Sequence, residues 1–107
     1  MITRGDIYWV NLDPTQGSEI QKKRPCVILS ATPINKARKT VVIIPFSSLT
    51  NASPPITVEI HCMQQKGIAV IDQIRTVDQS RLDTFIECID QQDLDRIELA
   101  LKQVLVL

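Results

Sequence analysis

The sequence predicts an α+β fold: a strongly bent antiparallel sheet or small barrel, with one helix packed against it. Three observations lead there. Short apolar runs rich in β-branched residues recur through the first four-fifths of the chain, divided by Pro-, Gly- and Asn-containing stretches. The hydrophobic period then changes, with Leu94, Ile97, Leu101, Val104 and Leu105 recurring at helical spacing. A length of 107 residues has room for one modest core, so a single domain spanning 1–107 is expected.

The elements follow in order. Gly5-Asp6 opens a first strand through Ile7-Tyr8-Trp9-Val10-Asn11-Leu12, which Asp13-Pro14 stops. Residues 13–23 form a long loop in which Gly17 permits a sharp turn. A second strand covers Pro25 to Ser30, and residues 31–39 read as a polar, basic connection. The third strand, Val41 to Ile44, is continuously apolar and so predicts cover on both faces. It ends at Pro45-Phe46-Ser47-Ser48, and residues 50–55 are a loop. A fourth strand alternates, with Ile56, Val58 and Ile60 inward and Thr57, Glu59 and His61 outward. A turn around Gln64–Gly67 leads to Ile68–Ile71, and the strand is expected to continue through Asp78. Ile86 to Ile89 predicts only weak pairing. The terminal helix takes Asp90 as its N-cap, and Asp93 suits the positive end of its dipole. Its last residues, Val104 to Leu107, are apolar on every side, which predicts docking, against another subunit for instance.

Composition excludes several classes. No apolar run approaches the roughly 18 residues of a membrane span, and Met1–Asp6 carries no apolar signal segment, so a cytoplasmic protein is expected. Three widely spaced cysteines, Cys26, Cys62 and Cys88, argue against a disulfide framework and for buried, reduced thiols. His61 and Cys62 are adjacent on a strand and point to opposite faces. With no CxxC or HxxxH spacing, no metal site is expected. Phosphate-binding Gly-rich loops, dinucleotide fingerprints and a nucleophile elbow are all missing. One histidine precludes a two-histidine acid–base pair within the chain.

The formal net charge of zero hides an asymmetry. Between Glu19 and Glu59 there is no acidic residue, while Lys22, Lys23, Arg24, Lys36, Arg38 and Lys39 all fall there. From Asp72 to Glu98 acidic residues dominate. A positive region on a neutral protein is a candidate polyanion site; the plain alternative is a solvated surface.

Within that window, Lys22-Lys23-Arg24-Pro25-Cys26-Val27-Ile28-Leu29 is the most informative stretch. Pro25 fixes the backbone at the start of a strand and biases Arg24 toward extended geometry, so the guanidinium stands on a constrained stem. If the second and third strands are antiparallel neighbours, Arg24 and Ser47 reach the same sheet edge. With Phe46 in the core, Ser47 points outward. A guanidinium beside a hydroxyl suits a phosphodiester, where it can hold the non-bridging oxygens of a pentavalent transition state. RNA carries its own nucleophile, the 2′-hydroxyl, so neither a metal nor a protein nucleophile is required. The alternative is that Ser47 caps a turn. Glu19 is a candidate general base or an ion-pair partner of Arg24. Trp9, Tyr8 and Phe46 are candidate base-stacking residues, although aromatics make up only 4% of the chain and most are expected in the core.

Five segments, taken together and in order, resemble the MazF/PemK family of toxin endoribonucleases. They are Arg4–Val10, Leu12–Pro14 with Gly17–Glu19, Arg24–Val27, Pro45–Ser48 and Asp72–Asp78. The resemblance implies an SH3-like antiparallel β-barrel with a C-terminal helix, acting as a homodimer without a cofactor. It implies metal-independent, sequence-specific cleavage of single-stranded RNA by 2′-hydroxyl attack, leaving 2′,3′-cyclic phosphate and 5′-hydroxyl ends. It places the catalytic arginine at Arg24 and its hydroxyl partner at Ser47, where threonine is frequent. Ser18, Glu19 and Gln73 match RNA-touching positions, and Lys22, Lys23 and Ser48 complete the expected substrate-binding set. Ile20 stands where some members have glutamine. The resemblance also implies a MazE-like antitoxin whose disordered acidic–apolar tail covers the RNA groove. A non-enzymatic, gyrase-binding toxin of CcdB type on the same fold is the alternative; it has no need of an Arg24–Ser47 pair.

Overall fold

The computed structural model describes residues 1–107. Seven strands form one curled sheet: β1 (Asp6–Asn11), β2 (Lys23–Ile28), β3 (Thr40–Ser47), β4 (Thr57–Cys62), β5 (Gln65–Val70), β6 (Arg75–Asp78) and β7 (Leu82–Cys88). Two helices complete it, α1 (Thr32–Ala37) and α2 (Gln91–Leu105). The strand order is β4-β5-β3-β2-β1-β7, with β6 also on β3, and every pairing is antiparallel. The result is an α+β half-barrel with a C-terminal helix. No helix is long and apolar enough to cross a membrane.

The curl originates in β3. On the edge away from β2, Thr40–Ile43 pairs with β6 and Phe46–Ser47 pairs with β5. The expected continuous strand to Asp78 is therefore broken: residues 70–74 face only Ile44 and Pro45, and the surplus is taken up by a 3₁₀ turn at Ile71–Gln73. The third strand runs through Pro45 instead of stopping there. Pro45 sits where the neighbour changes, so its missing N–H leaves no ladder position empty.

Alternation then sorts side chains onto two faces. Ile7, Val27, Leu29, Ile44, Phe46, Val58, Ile60 and Ala69 pack beneath Leu94, Ile97 and Ala100 of α2. Val10, Leu12, Cys26, Ile28, Val41, Ile43 and Val77 form a second cluster on the other face.

Several expectations are corrected. Residues 31–39 contain a short helix, because Pro33 falls in its first turn, where a proline is tolerated. Ile56 is 52% exposed and precedes β4; Val58, Ile60 and Cys62 are the inward set. The hairpin turn is Met63-Gln64, both at positive φ, and Gly67 lies within β5. β7 is a full seven-residue strand on β1, its pattern blurred by two register shifts and by its place at the sheet edge. Cys26 and Cys62 are buried and free as expected, but Cys88, on that edge, is exposed. Asp90 occupies the N-cap position of α2 without a side-chain cap bond. Asp93 is instead fully buried, accepting the His61 N–H at 2.8 Å and pairing with Arg96. His61 itself is exposed, as its outward position on β4 predicts. At the chain end, Leu105, Val106 and Leu107 remain exposed.

Candidate nucleic-acid cleavage site

The site begins where two strands part. β2 and β3 pair at Ile28↔Ile43, Val27↔Ile44 and Cys26↔Pro45, and then the ladder stops. The next position of β2 that faces β3 is Pro25, which has no N–H to continue it. Extending the register one step sets Pro25 against Phe46, and one further sets Arg24 against Ser47, on the same face. β2 stays paired to β1 as far as Lys23, so Arg24 rides on a supported strand while the opposite side opens.

The opening is a cleft of about 370 Å³. Phe46, Ile60 and Cys62 are buried residues that line it. Its walls carry Trp9, Lys23, Arg24, Ser47 and Ser48, and the β4–β5 hairpin closes it with Met63, Gln65 and Lys66. Gly67 lets the hairpin approach: a Cβ there would lie 3.3 Å from the Ile60 side chain and 3.5 Å from the Ser47 carbonyl oxygen.

Within the cleft, the polar groups are unevenly committed. Lys23 Nζ pairs with Asp83 at 2.5 Å, and Lys66 Nζ pairs with Glu59 at 2.9 Å. The hydrogen bond from Lys66 holds the Glu59 carboxyl below its ordinary range. Arg24 is left as the cleft cation without a carboxylate; its Nε makes a long 3.4 Å contact to the Gln21 carbonyl. Ser47 Oγ accepts the Leu49 N–H at 3.3 Å, so the turn-capping reading holds, yet its O–H stays free to donate. A guanidinium and a hydroxyl donor thus line one cleft, and the two together can hold a phosphodiester as its charge grows.

The thiols are unsuited to nucleophilic work. Burial pushes Cys62 up to about 11, with Glu87 adding to the rise. Burial also raises Cys26, against the opposing cations Arg75 and Arg24. No cluster of three or more His, Cys, Asp or Glu residues is arranged to hold a metal ion.

Of the residues singled out from sequence, Lys23, Arg24, Ser47 and Ser48 line the cleft. Ser18, Glu19, Lys22 and Gln73 do not. They belong to the 13–23 loop and its anchor: Gln73 Oε1 accepts the Ile20 N–H at 3.2 Å, and the Lys22 N–H donates to Asp13 Oδ1 at 3.0 Å. The ion pair between Glu19 and Arg24 does not form. The Glu19 carboxylate instead takes the Gln16 N–H at 2.6 Å, a nearer donor within its own turn. The acid-free window also divides. Lys36, Arg38 and Lys39 lie around α1, at the other end of β3 from Ser47, roughly 20 Å away at a strand's rise per residue. Among the aromatics, Phe46 is core and Tyr8 packs edge-on against Phe85 at 5.6 Å. Trp9 is half-buried at the cleft. Gln65 and Lys66 carried no signal in the sequence, because only the sheet's curl brings their hairpin to β2.

Residues 3–105 match the family described as PemK-like, MazF-like toxin of type II toxin-antitoxin system. Among solved structures, MazF from Deinococcus radiodurans superposes with a TM-score of 0.87 at 22% identity, over 98% of this chain and 96% of that one. An endoribonuclease from a Mycobacterial species, in complex with its cognate antitoxin, gives 0.81 at 22% identity, over 98% and 95%. A MazE–MazF complex from Deinococcus radiodurans gives 0.76 at 19% identity, over 96% and 93%. At such identities the structural likeness speaks for the fold, and the family match spans nearly the whole chain. The protein therefore belongs to the PemK-like, MazF-like toxins of type II toxin–antitoxin systems.

Proposed function

We propose that this chain is a sequence-specific, ribosome-independent endoribonuclease toxin that cleaves single-stranded RNA in the cytoplasm. The observation that carries the reading is the meeting of Arg24 and Ser47 in one cleft, each with donor capacity to spare. The 2′-hydroxyl oxygen attacks the adjacent phosphorus and loses its proton, and the bond to the 5′-oxygen breaks. That oxygen takes up a proton, leaving a 2′,3′-cyclic phosphate and a 5′-hydroxyl. Arg24 neutralises the charge gathering on the non-bridging oxygens, and the Ser47 hydroxyl donates to one of them. Neither role draws on a metal or cofactor. Lys23 and Ser48 extend the contact along the backbone, and Ser18, Glu19, Lys22 and Gln73 reach the RNA from the 13–23 loop and the turn that anchors it.

The whole of 1–107 acts as one domain and works as a homodimer. It is neutralised by a MazE-like antitoxin whose disordered acidic–apolar tail covers the same groove, a reading supported by the likeness to antitoxin-bound relatives. The test is cleavage of a defined transcript in the presence of a chelator, with end-group analysis. Cyclic phosphate ends are expected from the wild type. Growth arrest with intact RNA and trapped DNA breaks would contradict the reading and favour a gyrase-directed toxin.

A further inference from the structure

Lys36, Arg38 and Lys39 stand outside the cleft, and no role described above uses them. All three are exposed, close in sequence, and placed where α1 runs into β3. None of their side chains pairs with a carboxylate. A basic residue at a helix C-terminus commonly serves the free carbonyls there. Here Gln79 takes them. Its Nε2 donates to the Asn35, Arg38 and Thr40 carbonyls at 2.7, 3.0 and 3.3 Å, and its N–H donates to the Lys39 carbonyl at 2.8 Å. These bonds fix the backbone beneath the three side chains and leave their charges unspent. Asp78, opposite Thr40 in the β3–β6 register, is occupied by the Ser80 N–H at 2.9 Å. No aromatic residue falls between positions 31 and 40, so this surface offers charge without a stacking platform.

We propose that Lys36, Arg38 and Lys39 form a second, sequence-independent contact for the RNA backbone, away from the cut. The assignment rests on the RNA-cleaving reading above and adds a preference for long substrates to it. Cations that meet phosphates and no bases add affinity without reading sequence. A strand seated on Arg24 and Ser47 is tethered roughly 20 Å from this patch. At the roughly 3.4 Å spacing of stacked phosphates, that gap is about six nucleotides. The second contact is then intramolecular and adds affinity without a further encounter. The tether favours the substrate's own flank over a separate acidic protein. At physiological ionic strength the Debye length is about 8 Å. The patch therefore acts on RNA that touches it, and its field at the cleft is screened.

The test compares wild type with the triple variant Lys36→Gln, Arg38→Gln, Lys39→Gln. Two RNAs share one mapped cut site and are about 5 and about 30 nucleotides long, on either side of the six-nucleotide gap. Their 2′-deoxy counterparts, which lack the attacking hydroxyl, report binding. On the long strand, the variant's slope of log K against log salt should flatten by about two units. Its KM should rise while kcat holds. On the short strand, slope and KM should match wild type. The urea midpoint should not move, because the three side chains hold nothing in place.

Unchanged slope and KM on the long strand, with cleavage intact, overturn the second contact and leave the RNase reading standing. Equal losses on both strands also overturn it, since they place the effect in the cleft. Patch-dependent binding of the long strand by a wild type that does not cleave keeps the contact and overturns the RNase reading. Loss of antitoxin binding with unchanged RNA slopes assigns the patch to a protein partner and overturns the proposal.

Discussion

The two ends of β3 treat polar side chains in opposite ways. Near Thr40, a network around the buried Asn35 commits its polar groups. Asn35 is buried, donates to the Ile2 and Ser30 carbonyls at 3.2 and 3.0 Å and accepts from Ser30 Oγ. Ser30 Oγ also accepts the Val42 N–H at 3.0 Å, and Gln79 Nε2 reaches the carbonyls of Asn35, Arg38 and Thr40. Near Ser47, Pro25 ends the ladder, and Arg24 and Ser47 are left with donors unspent. A saturated network fixes structure, whereas polar groups held in place but left uncommitted beside a cleft are available for chemistry. The difference separates residues whose loss should cost folding from residues whose loss should cost activity.

The largest expected effect sharpens that separation. Arg24→Ala should lower RNA cleavage by about 10²–10³-fold, the usual loss for one transition-state donor. Its urea midpoint should barely move, because the side chain makes one long hydrogen bond. Asn35→Ala should do the reverse. It strands Ser30 Oγ and two backbone carbonyls, so unfolding free energy should fall by about 2–3 kcal/mol while the folded fraction cleaves normally.

Asp93→Asn probes a third region, where the buried carboxylate joins α2 to β4 through the His61 N–H and pairs with Arg96. The amide keeps an acceptor but loses the charge, so about 1–2 kcal/mol of stability should go, read by urea unfolding, again without loss of activity. The smallest effect is expected from Lys23→Ala. Its exposed pair with Asp83 should contribute under about 1 kcal/mol to folding. If Lys23 touches a phosphate, RNA affinity should fall and the slope of log K against log salt should flatten by about one unit.

Much of this contrast was legible before the structure, and the exceptions have physical causes. Val41–Ile44 and the Leu94–Leu105 spacing carried the core strand and the helix, because period and burial agree there. Arg24 and Ser47 could be brought to one edge from strand direction alone, since antiparallel register is a local rule. α1 was hidden because Pro33 reads as a breaker unless its place in the first turn is known. β7 was hidden because an edge strand tolerates polar residues such as Asp83 and Thr84 on both faces. The Met63-Gln64 turn lacks the Gly or Asn that usually marks a two-residue hairpin. The hairpin wall of the cleft, the buried Asp93 and the scattering of the basic window come from the curl of the sheet. The curl depends on β3 changing partners at Pro45, which no single segment reports.

The central claim is that Arg24 and Ser47 act as one unit on the scissile phosphate. Single-turnover cleavage rates for wild type, Arg24→Ala, Ser47→Ala and the double variant test it most directly. The account predicts a large loss in each single variant and a double variant little slower than Arg24→Ala, since removing either partner disables the pair. A double variant that cleaves as fast as the wild type, or losses that simply multiply, would contradict it.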